Sequence, residues 1–107
     1  TGIKLVYKQG IKEAQTELSY YYIIARKNGN NKVRTTWQPI SGANGYQLKF
    51  STDKKFKKVL KTVMVKKNVS NATTYVKNKK KTLYIKVRPY QTINKKNVYG
   101  RWSYLQL

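Results

Sequence analysis

Very few residues in this sequence have side chains that could perform acid–base or nucleophilic chemistry. The chain of 107 residues contains no His and no Cys, and its acidic side chains are Glu13, Glu17 and Asp53. General acid–base catalysis needs a titratable group beside the reacting atoms, and glycoside hydrolysis needs two carboxylates across one cleft. Glu13 and Glu17 have the spacing of neighbours on a helix face, but nothing positions either one beside a cleft. The sequence therefore predicts a protein that is not an enzyme.

The same shortage argues against cofactor and metal sites. Thiolate and imidazole ligands are absent, and one Asp with two separated Glu cannot neutralise a calcium ion. No Gly-x-x-x-x-Gly-Lys segment, which would hold phosphates, occurs in the chain. We therefore expect no cofactor and no bound metal.

Positive charge is the dominant feature of the composition. The chain has 24 Lys and Arg and a formal net charge of +21. Such a domain repels itself and attracts polyanions. Because nearly all of these cations are Lys, the attraction is expected to be diffuse and sensitive to salt. The densest part of the charge lies between residues 52 and 81, and it supplies the candidate residues for binding a polyanion or another partner: Lys54, Lys55, Lys57, Lys58, Lys61, Lys66, Lys67, Lys79, Lys80 and Lys81.

This charge has two interpretations at the level of sequence. In the first, it binds an anionic cell-wall polymer such as teichoic acid, an anionic glycan, an acidic protein or, with less support, nucleic acid. In the second, it is a solvated surface in a chain that is generally rich in Lys, Asn, Ile and Tyr. The sequence leaves both open.

Aromatic residues are the second prominent feature, with ten Tyr and two Trp. Alternation of apolar residues assigns Trp37, Tyr46 and Tyr84 to the core. The last strand could expose either parity, so the positions of Tyr90, Tyr99, Trp102 and Tyr104 stay open. An exposed aromatic row beside Lys could stack on sugars or on single-stranded bases.

The elements that position these residues are predicted to be strands. The composition is 39% hydrophobic, which is enough for one core, and helix signals are weak. Turns are predicted at residues 38–45, 68–74 and 78–81, and a long hairpin loop at 92–97. Strands are predicted at residues 3–8, 18–25, 33–37, 46–51, 59–65, 75–76, 82–90 and 99–107. The longest purely apolar run spans residues 20–25, so we expect no membrane span.

The order of several short segments resembles that of a fibronectin type III domain, in the form repeated in secreted and wall-attached proteins of low-GC Gram-positive bacteria. These segments are Trp37, Ile-Ser-Gly-Ala-Asn-Gly-Tyr at 40–46, Phe-Ser at 50–51 followed by Phe56, Tyr-Ile-Lys-Val-Arg at 84–88 and Tyr-Gly-Arg-Trp-Ser at 99–103. The resemblance implies an all-β, immunoglobulin-like sandwich of seven antiparallel strands in residues 18–107. It also places Tyr84 where such sandwiches bury a Tyr whose hydroxyl bonds nearby backbone.

Residues 1–17 have no place in a minimal domain of this family. We interpret them as an extension, an added strand or a linker from a preceding module, and such a strand could pair with another copy of the chain. Because the chain starts at Thr1, we also expect it to be a piece of a longer protein.

The resemblance implies an extracellular, secreted or wall-attached structural module that acts in adhesion or assembly. The alternatives are a nucleic-acid-binding protein that uses the Lys-rich face with Tyr stacking, and a carbohydrate-binding accessory domain of a secreted glycosidase.

Overall fold

The computed structural model describes residues 23–77 and 82–107 of the chain. The predicted strand at 3–8, the domain boundary at 17, the turn at 78–81 and Lys79, Lys80 and Lys81 lie outside the described residues. The strands are β1 (Ile23–Lys27), β2 (Lys32–Trp37), β3 (Gly45–Ser51), β4 (Val59–Lys66), β5 (Asn71–Tyr75), β6 (Tyr84–Ile93), β7 (Lys96–Tyr99) and β8 (Ser103–Gln106). No helix with the length and apolar character needed to cross a membrane occurs in the described ranges.

Two antiparallel sheets form the fold. The smaller sheet has the order β1-β2-β5, and the larger sheet has the order β4-β3-β6-β7 with β8 also paired to β6. Since β7 and β8 both pair with β6, they act as two halves of one final strand, so the two sheets contain seven strand positions. The prediction of an all-β sandwich of seven antiparallel strands is confirmed.

The core consists of the inward-facing residues of both sheets. Trp37 from β2 is fully buried and its ring lies 5.3 Å from that of Tyr46 on β3. Leu48 and Phe50 follow Tyr46 at every second position, and both are fully buried, as the alternation predicts. Strand β6 contributes Ile85, Val87 and Pro89 in the same way. Burial of these side chains is the main source of stability of the sandwich.

The assignment of Tyr84 to the core is wrong. Tyr84 is half-buried and lies on the outer face of β6, because Ile85 and Val87 occupy the inward parity of that strand. Tyr46 has the properties that the resemblance gave to Tyr84. Its hydroxyl accepts a hydrogen bond of 2.8 Å from the backbone N–H of Ile40, and burial raises its pKa.

Several predicted boundaries also need correction. Residues 92–97 form no long loop, because Asn94 and Lys95 take positive φ angles and connect β6 to β7 in a tight hairpin. Residues 71–74 belong to strand β5. The segment 18–25 is rich in Tyr and Ile, which is typical of a strand covered on both faces, but within its described part Ile24 on the edge strand β1 is 58% exposed.

The final strand is interrupted rather than continuous. Tyr90 pairs with Tyr99 and Val87 pairs with Ser103, so two residues of β6 stand opposite three residues between β7 and β8. The interruption falls beside Pro89, which has no N–H to donate, while its carbonyl accepts a bond of 2.9 Å from Gly100. An extra residue of this kind is a β-bulge, and it reverses which parity of the strand faces outward.

Replacing Tyr46 by Phe tests the corrected position of the buried hydroxyl. Tyr46→Phe should lower the free energy of unfolding by about 1–3 kcal/mol, since the Ile40 N–H is left without its acceptor in a buried site. Tyr84→Phe is the matched control and should change it by less than about 0.5 kcal/mol. Urea unfolding measures both values, and a larger loss for Tyr84→Phe than for Tyr46→Phe would contradict the assignment.

Candidate functional site

The outer face of the larger sheet brings together cations and aromatic rings that are distant in sequence. In β3 and β6, Gln47 is paired with Arg88 and Lys49 with Lys86, and all four side chains point outward. Beyond β6, Tyr99 from β7 and Tyr104 from β8 lie on the same face, opposite Tyr90 and Lys86 respectively.

The bulge between β7 and β8 makes this face possible. With strict alternation, Tyr99 would share a face with residues 101 and 103, while Trp102 and Tyr104 would point to the opposite face. Because the bulge adds one residue, Tyr99, Trp102 and Tyr104 all lie on the outer side of the sheet. Three of the four positions that the sequence left open are thereby assigned to one surface.

The cations and rings alternate in space. The guanidinium carbon of Arg88 lies 3.8 Å from the centre of the Tyr99 ring and 4.2 Å from that of Trp102. The Nζ atom of Lys86 lies 4.4 Å from the centre of Trp102 and 4.3 Å from that of Phe56. We call this set the aromatic–cation stack, in the order Tyr99, Arg88, Trp102, Lys86 and Phe56, with Tyr104 beside its last members.

Attraction between ring faces and cations supports this arrangement, since each such contact contributes roughly 0.5–2 kcal/mol. Lys49 stands directly opposite Lys86, and like charges in that position repel. Partial burial, together with repulsion from Lys49 and Arg88, lowers the pKa of Lys86. Burial also lowers the pKa of Arg88, although its Nε donates a hydrogen bond of 2.8 Å to the Gln47 side-chain oxygen.

Phe56 reaches the stack from the loop between β3 and β4. The carboxylate of Asp53 accepts hydrogen bonds from the backbone N–H groups of Lys55 and Lys57, and these bonds lower its pKa. The Ser51 hydroxyl donates to the Lys58 carbonyl, which closes the base of the loop. Phe56 has a φ of 55°, a conformation that costs a non-glycine residue about 1–2 kcal/mol. The loop is thus held in one specific shape.

This shape directs four of the candidate lysines outward on a single loop. Lys54, Lys55, Lys57 and Lys58 are all exposed. Asp53 is the acidic residue within the described ranges, and both of its carboxylate oxygens are occupied by backbone N–H groups of the same loop. Asp53 attracts Lys55 and Lys57 electrostatically, but one carboxylate cannot neutralise four ammonium groups, so the loop keeps a net positive charge.

The remaining described candidates follow the edge of the same sheet. Strand β4 is the edge strand, and it carries exposed Lys61 and Lys66, with Lys67 in the turn after it. The eight residues of β4 extend over about 25 Å at the usual rise of a strand. The structure thus arranges seven candidate lysines along one loop and one edge.

A shallow groove connects the lysine-rich loop to the stack. It has a volume of about 520 Å³ and lies against the end of β8. Its walls include the aromatic rings of Phe56, Tyr84 and Tyr104, and Lys54 and Lys55 also line it. Tyr104 is 63% exposed, so one of these rings is available to a ligand. Sequence reasoning did not identify Phe56 and Tyr84 as surface residues. For Tyr84 a signal was available, because alternation along 84–88 places residue 84 on the face opposite to Ile85 and Val87, which are buried.

Comparison with known proteins bears on the fold. None of the protein-family models matches the sequence, and no curated protein matches it. Among solved structures, a fibronectin type III domain of human collagen XX is similar, with a TM-score of 0.54 and 9% identity over 80% of this chain and 86% of that domain. The chain therefore has a fibronectin type III-like fold.

A double-mutant cycle tests whether the stack contributes to stability. Lys86→Met and Trp102→Leu, alone and combined, should show a coupling free energy of about 0.5–2 kcal/mol, because each variant removes one partner of the same contact. The matched cycle pairs Lys86→Met with Tyr99→Leu, whose ring contacts Arg88 instead, and should give less than about 0.5 kcal/mol. Equal coupling in both cycles, measured by urea unfolding, would contradict the alternating order.

Proposed function

We propose that this chain is a non-catalytic structural and adhesion module of an extracellular protein, and that its lysine-rich loop and edge bind an anionic polymer of the cell-wall or glycan type. The observation that carries the proposal is the loop at 53–58. Its one acid, Asp53, holds the backbone and attracts Lys55 and Lys57, and the four lysines project into solvent with an excess of three positive charges over this carboxylate.

The form of the surface supports a polymer better than a small ligand. The loop and the β4 edge present Lys over about 25 Å, which matches repeated anionic groups along a chain. Lysine ammonium groups attract phosphates and carboxylates as point charges and impose little geometry on them. An acidic protein would satisfy the same charges, but it is the second choice because an extended polymer follows a linear edge more readily.

The extracellular setting rests on different support. The sequence segments around Trp37, 40–46 and 99–103 resemble modules that are repeated in secreted and wall-attached bacterial proteins. A stiff sandwich of this kind can hold neighbouring modules at a fixed spacing while its basic surface binds polymer. A mechanism without catalysis also agrees with the absence of His and Cys from the sequence.

Removing charge from the loop tests the proposal. The variant Lys54→Gln/Lys55→Gln/Lys57→Gln/Lys58→Gln should bind poly(glycerol phosphate) at least about tenfold more weakly at moderate salt, with a shallower dependence of log K on log salt, because fewer counterions are released. Binding is measured by titration calorimetry at several salt concentrations.

The control lowers the net charge equally at other exposed sites: Lys27→Gln/Lys32→Gln/Lys95→Gln/Lys96→Gln. It should weaken binding by less than about threefold if the loop provides the contacts. Equal losses of affinity in the two quadruple variants would show that binding depends on net charge and not on the loop. Unchanged binding in the loop variant would refute the proposed surface.

A second candidate function is binding of single-stranded nucleic acid, which the aromatic groove beside Lys54 and Lys55 favours. In this case a base stacks on exposed Tyr104 while the lysines contact phosphates. Tyr104→Leu should then weaken binding of single-stranded DNA roughly fivefold or more, since stacking contributes about 1–3 kcal/mol per base. Tyr75→Leu, at an exposed Tyr of the other sheet, is the control. If Tyr104→Leu leaves DNA affinity unchanged, stacking is excluded.

A further inference from the structure

The smaller sheet carries a second cationic feature on its outer face, built from arginine instead of lysine. Arg26 on β1 and Arg34 on β2 are direct partners in the antiparallel register. Residues in that relation point to the same face with their Cβ atoms about 4.5–5.5 Å apart. Two of the four arginines of the chain thus stand side by side, and both are exposed.

Polar and apolar neighbours complete a small concave site around this pair. Arg34 is also the partner of Thr73 on β5, and the adjacent pair on the same face is Ile24 with Thr36. A cavity of about 180 Å³ is lined by Ile24, Ala25, Arg26, Arg34 and Thr36. The two arginines therefore line a recess together with Thr36, whose side chain carries a hydroxyl group.

The pair is electrostatically unfavourable as the described residues present it. Like charges directly opposite one another destabilise a sheet. Asp53, the acid within the described ranges, belongs to the β3–β4 loop of the other sheet and is bonded to that loop's own backbone. No hydrogen bond or ion pair of Arg26 or Arg34 side chains occurs among the described residues. An external anion placed between the two guanidinium groups would remove this repulsion.

We propose that Arg26 and Arg34 form a binding site for a tetrahedral oxyanion, a phosphate or sulfate group. The planar guanidinium presents two parallel N–H donors, and this geometry matches two oxygens of such a group. Two guanidinium groups on one face hold the anion from both sides, and the Thr36 hydroxyl donates to a further oxygen. The site is discrete and geometric, unlike the diffuse lysine surface of the other sheet, and it does not depend on the function proposed for that surface.

Exchange of chloride for sulfate at constant ionic strength tests the site in the full chain. Backbone amide NMR should show saturable shifts in β1 and β2. The conservative variant Arg34→Lys keeps the charge but loses the paired donors, and it should weaken sulfate binding by about tenfold. Lys61→Gln, on the edge of the other sheet, should bind sulfate as tightly as the unchanged chain.

Thermal unfolding provides a second measurement that does not depend on NMR shifts. Sulfate raises the midpoint temperature of unfolding of proteins generally, but an anion bound at a specific site adds a part to this rise that saturates as the sulfate concentration increases. The saturable part should be lost in Arg26→Lys/Arg34→Lys and kept in Lys61→Gln. Unchanged polymer binding in the loop variant, together with sulfate binding that Arg34→Lys weakens, would refute the first proposal alone. Weakened polymer binding in the loop variant, together with equal sulfate affinity in Arg34→Lys and the unchanged chain, would refute only this one.

Three results would overturn the site. Linear shifts spread over the lysines would show general screening only. Equal sulfate affinity in Arg34→Lys and the unchanged chain would show that the paired donors are not used. Saturable binding that appears only in Glu13→Gln/Glu17→Gln would show that carboxylates of the chain itself hold the arginines. The same comparison with inorganic phosphate, dextran sulfate and polyphosphate identifies whether the oxyanion is bound as a free ion or as part of a polymer. Arg34→Lys is expected to weaken the binding of each of these anions that the unchanged chain binds.

Discussion

The larger sheet packs positive charges close together, and aromatic ring faces separate them where other proteins use carboxylates. Arg88 lies between the rings of Tyr99 and Trp102, and Lys86 lies between those of Trp102 and Phe56. The negative face of each ring attracts a cation without requiring an acidic residue. This interaction lets a sequence with a net charge of +21 place several cations close together on one outer face of its sandwich. It also leaves the single described acid, Asp53, free to shape a loop.

That loop connects the energetics of the sheet to the proposed polymer surface. Asp53 holds the backbone N–H groups of Lys55 and Lys57, and the resulting turn directs Phe56 onto Lys86. The same turn directs the neighbouring lysines outward. One local hydrogen-bond pattern thus places an aromatic ring in the stack and a group of ammonium charges in solvent. The two sheets differ in kind, because the smaller one presents a pair of arginines in a recess and the larger one presents an extended lysine edge.

Much of the fold was accessible from local pattern. Alternation of apolar residues at 46, 48 and 50 predicted both strand β3 and its buried face, since side chains of a strand point to opposite sides in turn. Alternation at 82–90 predicted strand β6 but not which of its faces is buried. The tight hairpin at Asn94 and Lys95 was missed because neither residue is Gly, although Asn tolerates positive φ. The assignment of Tyr84 to the core conflicts with the parity that Ile85 and Val87 set.

The sequence by itself determined that the domain is a sandwich of strands with a strongly cationic surface and no catalytic groups of the usual kinds, because composition and period-two alternation are local properties. Tertiary structure decided which side chains meet. The bulge opposite Pro89 reverses the parity of the last strand and brings Tyr99, Trp102 and Tyr104 to one face. Cross-strand register makes neighbours of Lys49 and Lys86 and of Arg26 and Arg34. The first pairing joins segments that are distant in sequence, and the second depends on the register of the β1–β2 hairpin, so composition and alternation alone specify neither.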